Sequence, residues 1–363
     1  MGLYSVFRAT FLVVFLVGIQ EISSVEGQDV YGKNYISWDD LKVDENKVAA
    51  GLIIGDDKYE QRQVIVVDMN GRGDSLTVQG AVDMVPENNT QRVKIYIHPG
   101  IYREKVFVPS SKPYISLIGN QHRMSDTIIT WNDKASDKDR NGVQLGTYGS
   151  ASVAIESDYF CATGITFENT VVAVPGGYGM QAVALRIAGD KAVFYRVGIL
   201  GTQDTLLDDT GSHYFYQSHI QGSVDFIFGR SRSLYEDCVI QSTAKNWGAI
   251  TAHHRDLPYE NTGFSFVNCS ITGTGSILLG RAWGDYSRVV FSHCNMDDII
   301  TPSGWSDWMQ PSRQKTVVFG EYQCRGRGAD KRGRVSWSKS FSYEEVRPFL
   351  DKKFINGEQW LKL

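Results

Sequence analysis

The chain has 363 residues and a formal net charge of −4, with 42% hydrophobic and 21% charged residues. That length suits one large domain, and solenoid proteins commonly extend this far as a single unit. The slightly acidic balance argues against nucleic acid as a partner. Five widely spaced cysteines without a C-x-x-C pair exclude a disulfide-held miniprotein and disfavour a zinc site, so we expect no metal and no cofactor.

The N-terminus has the features of a secretory signal peptide. Arg8 precedes an apolar run over residues 11–19, and small residues follow up to Gly27. The run is too short to span a bilayer, and no second run of membrane length occurs. We therefore predict a signal peptide over residues 1–27, an N-terminal extension over 28–62 and one soluble, exported domain over 63–363.

Short runs of β-branched and aromatic residues, separated by Gly, Asn and Asp, recur from residue 63 onward, and their length indicates strands. The predicted strands include residues 64–67, 93–97, 105–108, 114–118, 127–130, 164–167, 192–195, 213–216, 264–266, 289–291 and 317–319. Two stretches have helical spacing. Residues 75–85 are expected to cap the open end of a strand stack, and residues 342–350 are expected to form a C-terminal helix.

An internal repeat carries the chemistry. Residues 193–206 align with residues 214–227 at an offset of 21, which places Asp204 over Asp225. Such a repeat of short strands is typical of stacked coils, because one unit cannot bury its apolar face alone. In a parallel β-helix, equivalent residues lie about 4.8 Å apart on neighbouring coils. Two carboxylates that close do not both ionise readily, so the pair supplies a protonated acid and an anionic nucleophile.

Three of the cysteines share a similar sequence setting, and two asparagines begin possible glycosylation sequons. Cys238, Cys269 and Cys294 each end a similar run of residues, which predicts a ladder of small buried side chains on successive coils. Asn88 and Asn268 begin glycosylation sequons. The second sequon is the weaker, because Cys269 at its centre is predicted to be buried.

Missing motifs narrow the reaction type. The chain has no G-x-S-x-G elbow, no H-E-x-x-H, no phosphate-binding loop and no G-x-G-x-x-G, so any hydrolysis is expected to use carboxylates. Gln181, Gln203 and Arg281 are candidates for residues that assist the two aspartates in catalysis. His253 and His254 are interpreted as loop residues. The sequence leaves open whether Trp247, Trp305 and Trp308 line a sugar groove or fill the core.

Several ordered motifs resemble the signature set of the pectin methylesterases, the pectinesterases of plant cell walls. They are G-I-Y-R-E at residues 100–104, Q-A-V-A-L-R at 181–186, G-T-Q-D-T-L at 201–206, V-D-F-I-F-G at 224–229 and L-G-R-A-W at 279–283. The resemblance extends from about residue 64 to the C-terminus. It implies an all-β fold, a right-handed parallel β-helix, and an ester hydrolase that converts methyl-esterified homogalacturonan to pectate and methanol in the cell wall.

The resemblance also implies roles for individual residues. Asp225 corresponds to the nucleophile, and Asp204 corresponds to the acid that protonates methanol and then activates water. Gln181 and Gln203 correspond to the amides that donate to the oxyanion, and Arg281 corresponds to the cation that holds Asp225 ionised. The implied substrate-binding residues are Thr147, Gln181, Phe228, Arg281 and Trp283.

Two departures from the family pattern stand out. Ala282 lies where the family usually has Pro, which frees the local φ and is expected to alter affinity or rate without abolishing activity. Many plant relatives carry an inhibitor-like pro-region, whereas only residues 28–63 lie between the predicted signal and the first strand, so the chain resembles the shorter class.

Two other functions remain open at this stage. A galacturonase or lyase would also use acidic residues, but the G-H-G and R-I-K motifs of galacturonases and a dense carboxylate cluster for Ca²⁺ are absent from the sequence. The third hypothesis is a wall-binding protein that keeps the fold without catalysing a reaction. It is the only one of the three that makes use of Ala282 in place of proline. The expected partners of a monomeric enzyme are homogalacturonan and, by the resemblance, a proteinaceous pectinesterase inhibitor, with no nucleic acid and no membrane.

Overall fold

Short parallel strands wind into a right-handed β-helix with three sheet-forming faces, which confirms the predicted fold class. The computed structural model describes residues 34–44, 64–174 and 176–363. The predicted signal peptide and most of the predicted extension therefore lie outside the described residues.

Successive strands of the chain fall on the three faces in turn, and each pairs in parallel with the strand one coil away. Face 1 holds β2 (Val64–Val67), β3 (Val93–Ile97), β6 (Ile115–Ile118), β9 (Cys161–Thr163), β12 (Ala192–Tyr195), β15 (Ser212–Tyr216), β18 (Arg232–Glu236), β20 (Gly263–Val267), β22 (Arg288–Ser292), β25 (Val318–Tyr322) and β26 (Lys339–Ser340). Face 2 holds β4 (Gly100–Arg103), β7 (Thr127–Trp131), β10 (Thr166–Asn169), β13 (Gly198–Leu200), β16 (His219–Gly222) and β23 (Asn295–Met296). Face 3 holds β5 (Val106–Val108), β8 (Val153–Ile155), β11 (Leu185–Ile187), β14 (Leu206–Asp208), β17 (Val224–Gly229) and β24 (Trp305–Ser306). β19 (Val239–His253) and β21 (Ser270–Ala282) each run across the corner from face 2 to face 3.

The core is built from side chains that repeat at the same position of each coil. Because side chains alternate along a strand, every second residue points inward. On face 1 the buried rings of Phe194, Phe215, Tyr235, Phe266 and Phe291 stack with centroids 4.4 to 4.7 Å apart. This distance matches the spacing of neighbouring strands, so each coil contributes one ring to the stack.

The register of the coils confirms the repeat seen in the sequence. Val193 pairs with Tyr214 on face 1, and Leu206 pairs with Ile227 on face 3. Both pairs have the predicted offset of 21 residues.

The predicted cysteine ladder is present and gains a fourth member. Cys238, Cys269, Cys294 and Cys324 each direct Sγ at a backbone carbonyl of the preceding coil, at 3.4 to 3.5 Å. Each follows a residue with positive φ at the turn between faces 1 and 2. All five cysteines, which lie in the described part of the chain, are unpaired thiols.

Short helices lie at the ends of the coil and in loops between its strands. α1 (Val78–Met84) buries Val78, Ala81 and Val82 in the core, and Thr77 caps its first turn, so the predicted capping helix is confirmed with a later start. α2 is Gly146–Gly149. The predicted C-terminal helix is shorter than expected: α3 (Tyr343–Val346) ends after one turn and continues as a 3₁₀ helix containing Pro348, which cannot donate a backbone hydrogen bond. Among the described residues the 3₁₀ helices are Trp38–Leu41, Met124–Asp126, Pro311–Lys315, Arg327–Ala329, Lys331–Gly333, Arg347–Phe349, Lys352–Ile355 and Gly357–Gln359.

Part of the predicted N-terminal extension packs on the domain. β1 (Ile36–Ser37) pairs in parallel with β27 (Leu361–Lys362), and Ile36 and Leu41 are buried beside residues of the C-terminal segment. The described residues belong to one compact unit. In the described ranges, none of the helices has the length and apolar character required to cross a membrane.

Candidate active site

Asp204 and Asp225 occupy equivalent positions on adjacent coils of face 3. Asp204 lies just before β14, and Asp225 lies near the start of β17. On one side of the aspartates Gln203 pairs with Val224, and on the other side Leu206 pairs with Ile227. The two Cα atoms therefore lie about 4.8 Å apart, the usual distance between neighbouring strands. Both residues have positive φ, 59° for Asp204 and 48° for Asp225. Such a backbone is uncommon outside glycine, and Asp tolerates it better than most residues. The same bend therefore turns both carboxyl groups out of the coil in one direction.

A β-bulge accompanies Asp225. The pairing of β17 with β19 shifts by one residue between Val224 and Ile227. Bulges redirect a side chain at the point where they occur and are common beside active sites. Here the bulge lies at the position of the predicted nucleophile.

Arg281 grips the Asp225 carboxylate with two hydrogen bonds. Its Nε donates to Oδ1 at 2.8 Å, and its Nη2 donates to Oδ2. β21, which carries Arg281, lies two strands beyond β17 in the face 3 sheet, so the arginine reaches back across β19 to the aspartate. A bidentate guanidinium–carboxylate pair fixes both the orientation and the charge of the acid.

The two aspartates differ in electrostatic setting. Burial, followed by the negative charge of Asp225, raises the pKa of Asp204 well above its usual value. Burial also raises the pKa of Asp225, but the hydrogen bonds and charge of Arg281 oppose that rise. The arrangement therefore favours a protonated Asp204 beside an anionic Asp225.

The two glutamines lie next to this pair. Gln203 immediately precedes Asp204, and its side chain acts to lower the Asp204 pKa, against the larger effects of burial and of Asp225. The carbonyl of Gln203 accepts a hydrogen bond from the amide of Ala182 at 3.1 Å, which joins its coil to the one that begins with Gln181. The Gln181 Oε1 atom is buried without a hydrogen-bond partner among the described residues. That oxygen is therefore not committed to a neighbouring side chain.

A small apolar surface extends from the site across face 3. Leu207, Phe228 and Ala252 lie on successive coils in the same outward column as Arg281 and pack with Val183. These three side chains are only 2% to 6% exposed, so they form an apolar floor beneath the groove. Phe228, one of the predicted substrate contacts, thus lies on the same surface as the aspartate pair.

Trp283 stands at the edge of this surface. Its side chain is 38% exposed, and its ring stacks on His254 at 4.5 Å and meets Phe228 at 6.2 Å. Ala282 is buried at the end of β21, and its carbonyl accepts a hydrogen bond from Arg313 at 2.7 Å. The chain lacks the proline that would restrict the backbone at position 282. Stacking on His254 and the hydrogen bond from Arg313 hold the Trp283 segment in its place.

Thr147 lies in α2, further along the groove. The hydroxyl of Ser150 donates to the Thr147 carbonyl and accepts from the amide of Val183, which belongs to the apolar surface. Neighbouring Tyr148 is exposed and lies 3.8 Å from the guanidinium of Arg186. The structure thus places Thr147 at the groove but shows no direct contact between it and the aspartate pair.

The tryptophans left open by sequence divide between groove and core. Trp305 is 2% exposed and stacks on Phe319, so it belongs to the core. Trp247 and Trp308 instead lie over the guanidinium of Arg281, at 5.2 and 3.8 Å. No sequence motif distinguishes the three tryptophans. Whether each lies in the core or at the groove depends on which side of its coil the ring faces.

The interpretation of the histidine pair as loop residues is wrong for His253. It ends β19, is fully buried and stacks edge-on against Phe264 at 4.7 Å. Burial lowers the pKa of His253 to about 3, so this ring stays neutral. His254 follows the strand and is the one that reaches the groove.

Comparison with known proteins decides the family. The sequence profile of the family Pectinesterase matches residues 64–358. The chain belongs to the pectinesterase family. Pectinesterase QRT1 of Arabidopsis thaliana is 64% identical over 345 residues, which are 91% of each chain.

Solved structures support the same assignment. The pectin methylesterase from carrot has 35% identity and a TM-score of 0.74, covering 85% of this chain and 97% of the carrot chain. The pectin methylesterase from Aspergillus niger has 28% identity and a TM-score of 0.71, covering 84% and 97%. As a pectinesterase, the chain is a carboxylic ester hydrolase that removes methyl esters from pectin.

Proposed function

We propose that the Asp204–Asp225 pair carries out the demethylation, with Asp225 as the nucleophile. One observation carries the proposal: the two carboxyl groups occupy equivalent positions on adjacent coils, and only Asp225 is held by Arg281. The anionic Asp225 attacks the ester carbonyl carbon of a methylated galacturonate. When the C–O bond to the methoxy group breaks, Asp204 gives its proton to the leaving oxygen, which departs as methanol.

The second half of the reaction returns the enzyme to its starting state. The galacturonyl group is now joined to Asp225, and Asp204 is a carboxylate without a cation of its own. Asp204 takes a proton from water, and the resulting hydroxide attacks the acyl carbon. The bond to Asp225 breaks, leaving a free galacturonic acid, which loses its proton to solvent, an anionic Asp225 and a protonated Asp204.

Gln181 and Gln203 are proposed to donate to the oxyanion of both tetrahedral intermediates. Gln203 adjoins Asp204 in the chain and Gln181 lies on the neighbouring coil, and uncharged amides stabilise a developing anion without competing for Asp225 in the ground state. In other acyl-transfer enzymes the loss of one such donor costs about 3 kcal/mol of transition-state stabilisation. Thr147, Phe228 and Trp283 are proposed to bind the sugar rings along face 3.

Methanol release from highly methylated pectin tests these roles in the mature protein and in Asp225→Asn and Asp204→Asn variants. Both substitutions keep the shape of the side chain. Asp225→Asn removes the nucleophile, and we expect kcat to fall by about 1,000-fold or more. Asp204→Asn cannot supply a proton or activate water, and we expect a fall of about 100- to 10,000-fold.

Asp209→Asn is the matched control. Asp209 lies on the same face and its carboxyl group pairs with Arg230, but it does not contact the aspartate pair. Its loss is expected to change kcat by less than about twofold, because surface ion pairs contribute little. Substantial methanol release by Asp225→Asn, with folding verified by circular dichroism, would contradict the assignment of the nucleophile.

The cellular setting is proposed as well. We infer that the mature enzyme is a secreted cell-wall monomer whose activity a proteinaceous pectinesterase inhibitor can block. Asn88 is exposed and suits N-glycosylation. Asn268 is also exposed, but its side chain donates to Asp237 at 2.6 Å and Cys269 of its sequon is buried, so Asn88 is the favoured site. Mass spectrometry of the secreted protein would distinguish the two asparagines.

A further inference from the structure

We propose that Trp247 and Trp308 are positioning residues that hold the Arg281 guanidinium in its two-bond grip on Asp225. The ring of Trp308 lies 3.8 Å from the central guanidinium carbon, and the ring of Trp247 lies 5.2 Å from it. Both distances are within the range of a cation–π contact, and Trp is the aromatic residue that makes the strongest ones. The inference rests on the proposed role of Asp225 as nucleophile.

Arg281 needs such support because its side chain is still partly exposed to solvent. Its side chain remains 21% exposed, against 10% for Asp225. A guanidinium at the end of a flexible chain otherwise exchanges its carboxylate partner for water. The two hydrogen bonds to Asp225 would then be broken for part of the time. Indole rings over the guanidinium exclude water from it while leaving its edge free to donate, so the hydrogen bonds to Asp225 are strengthened.

The backbone around Trp308 shows that its placement is maintained against local strain. Trp308 and Met309 both have positive φ, 60° and 56°, which is rare for two consecutive residues other than glycine. Side chains hold this turn: Ser306 Oγ accepts from the Trp308 amide at 3.2 Å, and Asp307 Oδ1 accepts from the Met309 amide at 3.0 Å. Backbone strain that is held in this way concentrates at functional sites.

Trp247 approaches Arg281 from a different element. It lies in β19 at the end of an irregular stretch, because the pairing with β21 changes register between Thr243 and Trp247. Its side chain is 46% exposed. An exposed tryptophan beside a sugar groove also suits a stacking platform for the polysaccharide, and the two roles predict different kinetics.

The test compares Trp247→Ala and Trp247→Phe with the wild type, measuring kcat and KM for methanol release across the pH range. If Trp247 positions Arg281, Trp247→Ala lowers kcat by about tenfold. The acidic limb of its pH–rate profile, where activity falls as Asp225 becomes protonated, also moves to higher pH. The reason is that a less firmly held Arg281 favours the ionised form of Asp225 less. Trp247→Phe keeps an aromatic face and is expected to recover most of kcat and to return the limb towards the wild-type position. Trp308→Ala should act in the same direction as Trp247→Ala, and more strongly, because its ring is closer.

Trp283→Ala is the comparison variant, because Trp283 borders the groove but has no cation–π contact with Arg281. It is expected to raise KM and to leave the acidic limb in place. Arg281 from β21 is the charged group that acts on Asp225, Asp204 is the titratable group on the neighbouring coil, and both remain in all these variants.

A higher KM for Trp247→Ala with an unmoved acidic limb and unchanged kcat would overturn the inference, since that is the behaviour of a stacking platform. Failure of the proposed function is recognised separately, because Asp225→Asn would then remain active. Thermal unfolding of each variant shows that the altered kinetics belong to folded enzyme.

Discussion

At the scale of single residues, two identical side chains differ because of one arginine. Asp204 and Asp225 share a backbone conformation and a position in the coil, and both are held in a site where burial raises the pKa of a carboxyl group. Only Asp225 receives the two hydrogen bonds of Arg281. A pair of like groups is thus divided into an acid and a nucleophile by the placement of one cation.

This division predicts the pH dependence of the enzyme. Activity should fall at low pH as Asp225 takes up a proton and at high pH as Asp204 loses one, giving a bell-shaped kcat profile. Because the pKa of Asp225 is raised, the acidic limb should lie above the ordinary carboxyl value of 3.8. Arg281→Gln removes the group that opposes this rise, so the limb should move to still higher pH, with a fall in kcat of about 100-fold or more.

Arg230→Gln provides the control for that measurement, because Arg230 is exposed and pairs only with Asp209 among the described residues. The expected profile is that of the wild type. An acidic limb that stays in place in Arg281→Gln would show that Arg281 does not set the charge of Asp225.

At the scale of elements, a buried polar network joins face 3 to face 1 behind the active-site coil. His213 of β15 and Asp208 of β14 are both fully buried, with Nδ1 2.5 Å from Oδ1, and Nε2 lies 2.8 Å from the carbonyl oxygen of Gly189. Both ring nitrogens face acceptors, which requires the imidazolium form. Tyr235 of β18 donates to the other Asp208 oxygen at 2.6 Å. The network therefore links three coils, including the one that carries Asp204.

The charge state of this network predicts how stability depends on pH. Burial by itself would lower the pKa of His213, but the Asp208 charge and hydrogen bonds outweigh it and raise the pKa above 6.5. The contribution of the imidazolium is therefore complete below pH 6.5 and is lost as pH rises through the folded-state pKa. His213→Gln leaves Asp208 as a buried charge without its cation, and we expect a loss of about 3 kcal/mol in the free energy of unfolding.

Thermal unfolding at several pH values checks this prediction. The difference in Tm between the wild type and His213→Gln should be largest near about pH 6 and should shrink by about pH 9. Tyr235→Phe keeps the ring stack and the imidazolium, so it should cost less, about 1 to 2 kcal/mol, with little dependence on pH in this range. An equal difference in Tm at both pH values would indicate that His213 is neutral in the folded protein.

At the scale of the whole molecule, the N-terminal segment 34–44 ties the two ends of the described chain together. β1 pairs with β27, and Trp38 stacks edge-on against Tyr195 on the outer side of face 1. Lys94 donates to the carbonyls of Asp39 and Lys42. The active site lies on face 3, so this segment contributes to stability and does not border the groove.

Ile36→Ala tests that separation. Ile36 is fully buried, and its truncation is expected to cost about 2 to 5 kcal/mol in the free energy of unfolding. The kcat of the folded variant should remain that of the wild type. Leu76→Ala removes an equally large side chain that is 59% exposed, so the change should be within about 0.5 kcal/mol. A stability loss in Ile36→Ala no larger than that of Leu76→Ala would show that the segment does not hold the ends together.

The sequence by itself determined the repeat, the fold class and the positions of the catalytic candidates. Those features are periodic or contiguous: the 21-residue offset aligns Asp204 with Asp225, and each motif lies on one strand or turn. Register follows from such a pattern because a coil one residue out of step would turn its apolar side chains to solvent.

Only the tertiary structure decided which distant side chains meet. Arg281 reaches Asp225 across β19, Trp247 and Trp308 lie over its guanidinium while Trp305 is in the core, and His254 supports Trp283. Segment 34–44, which the sequence assigned to an N-terminal extension without indicating a contact, packs on the domain. Each of these contacts depends on the length of a turn or the direction of a bulge between coils, and neither leaves a periodic signal in the sequence.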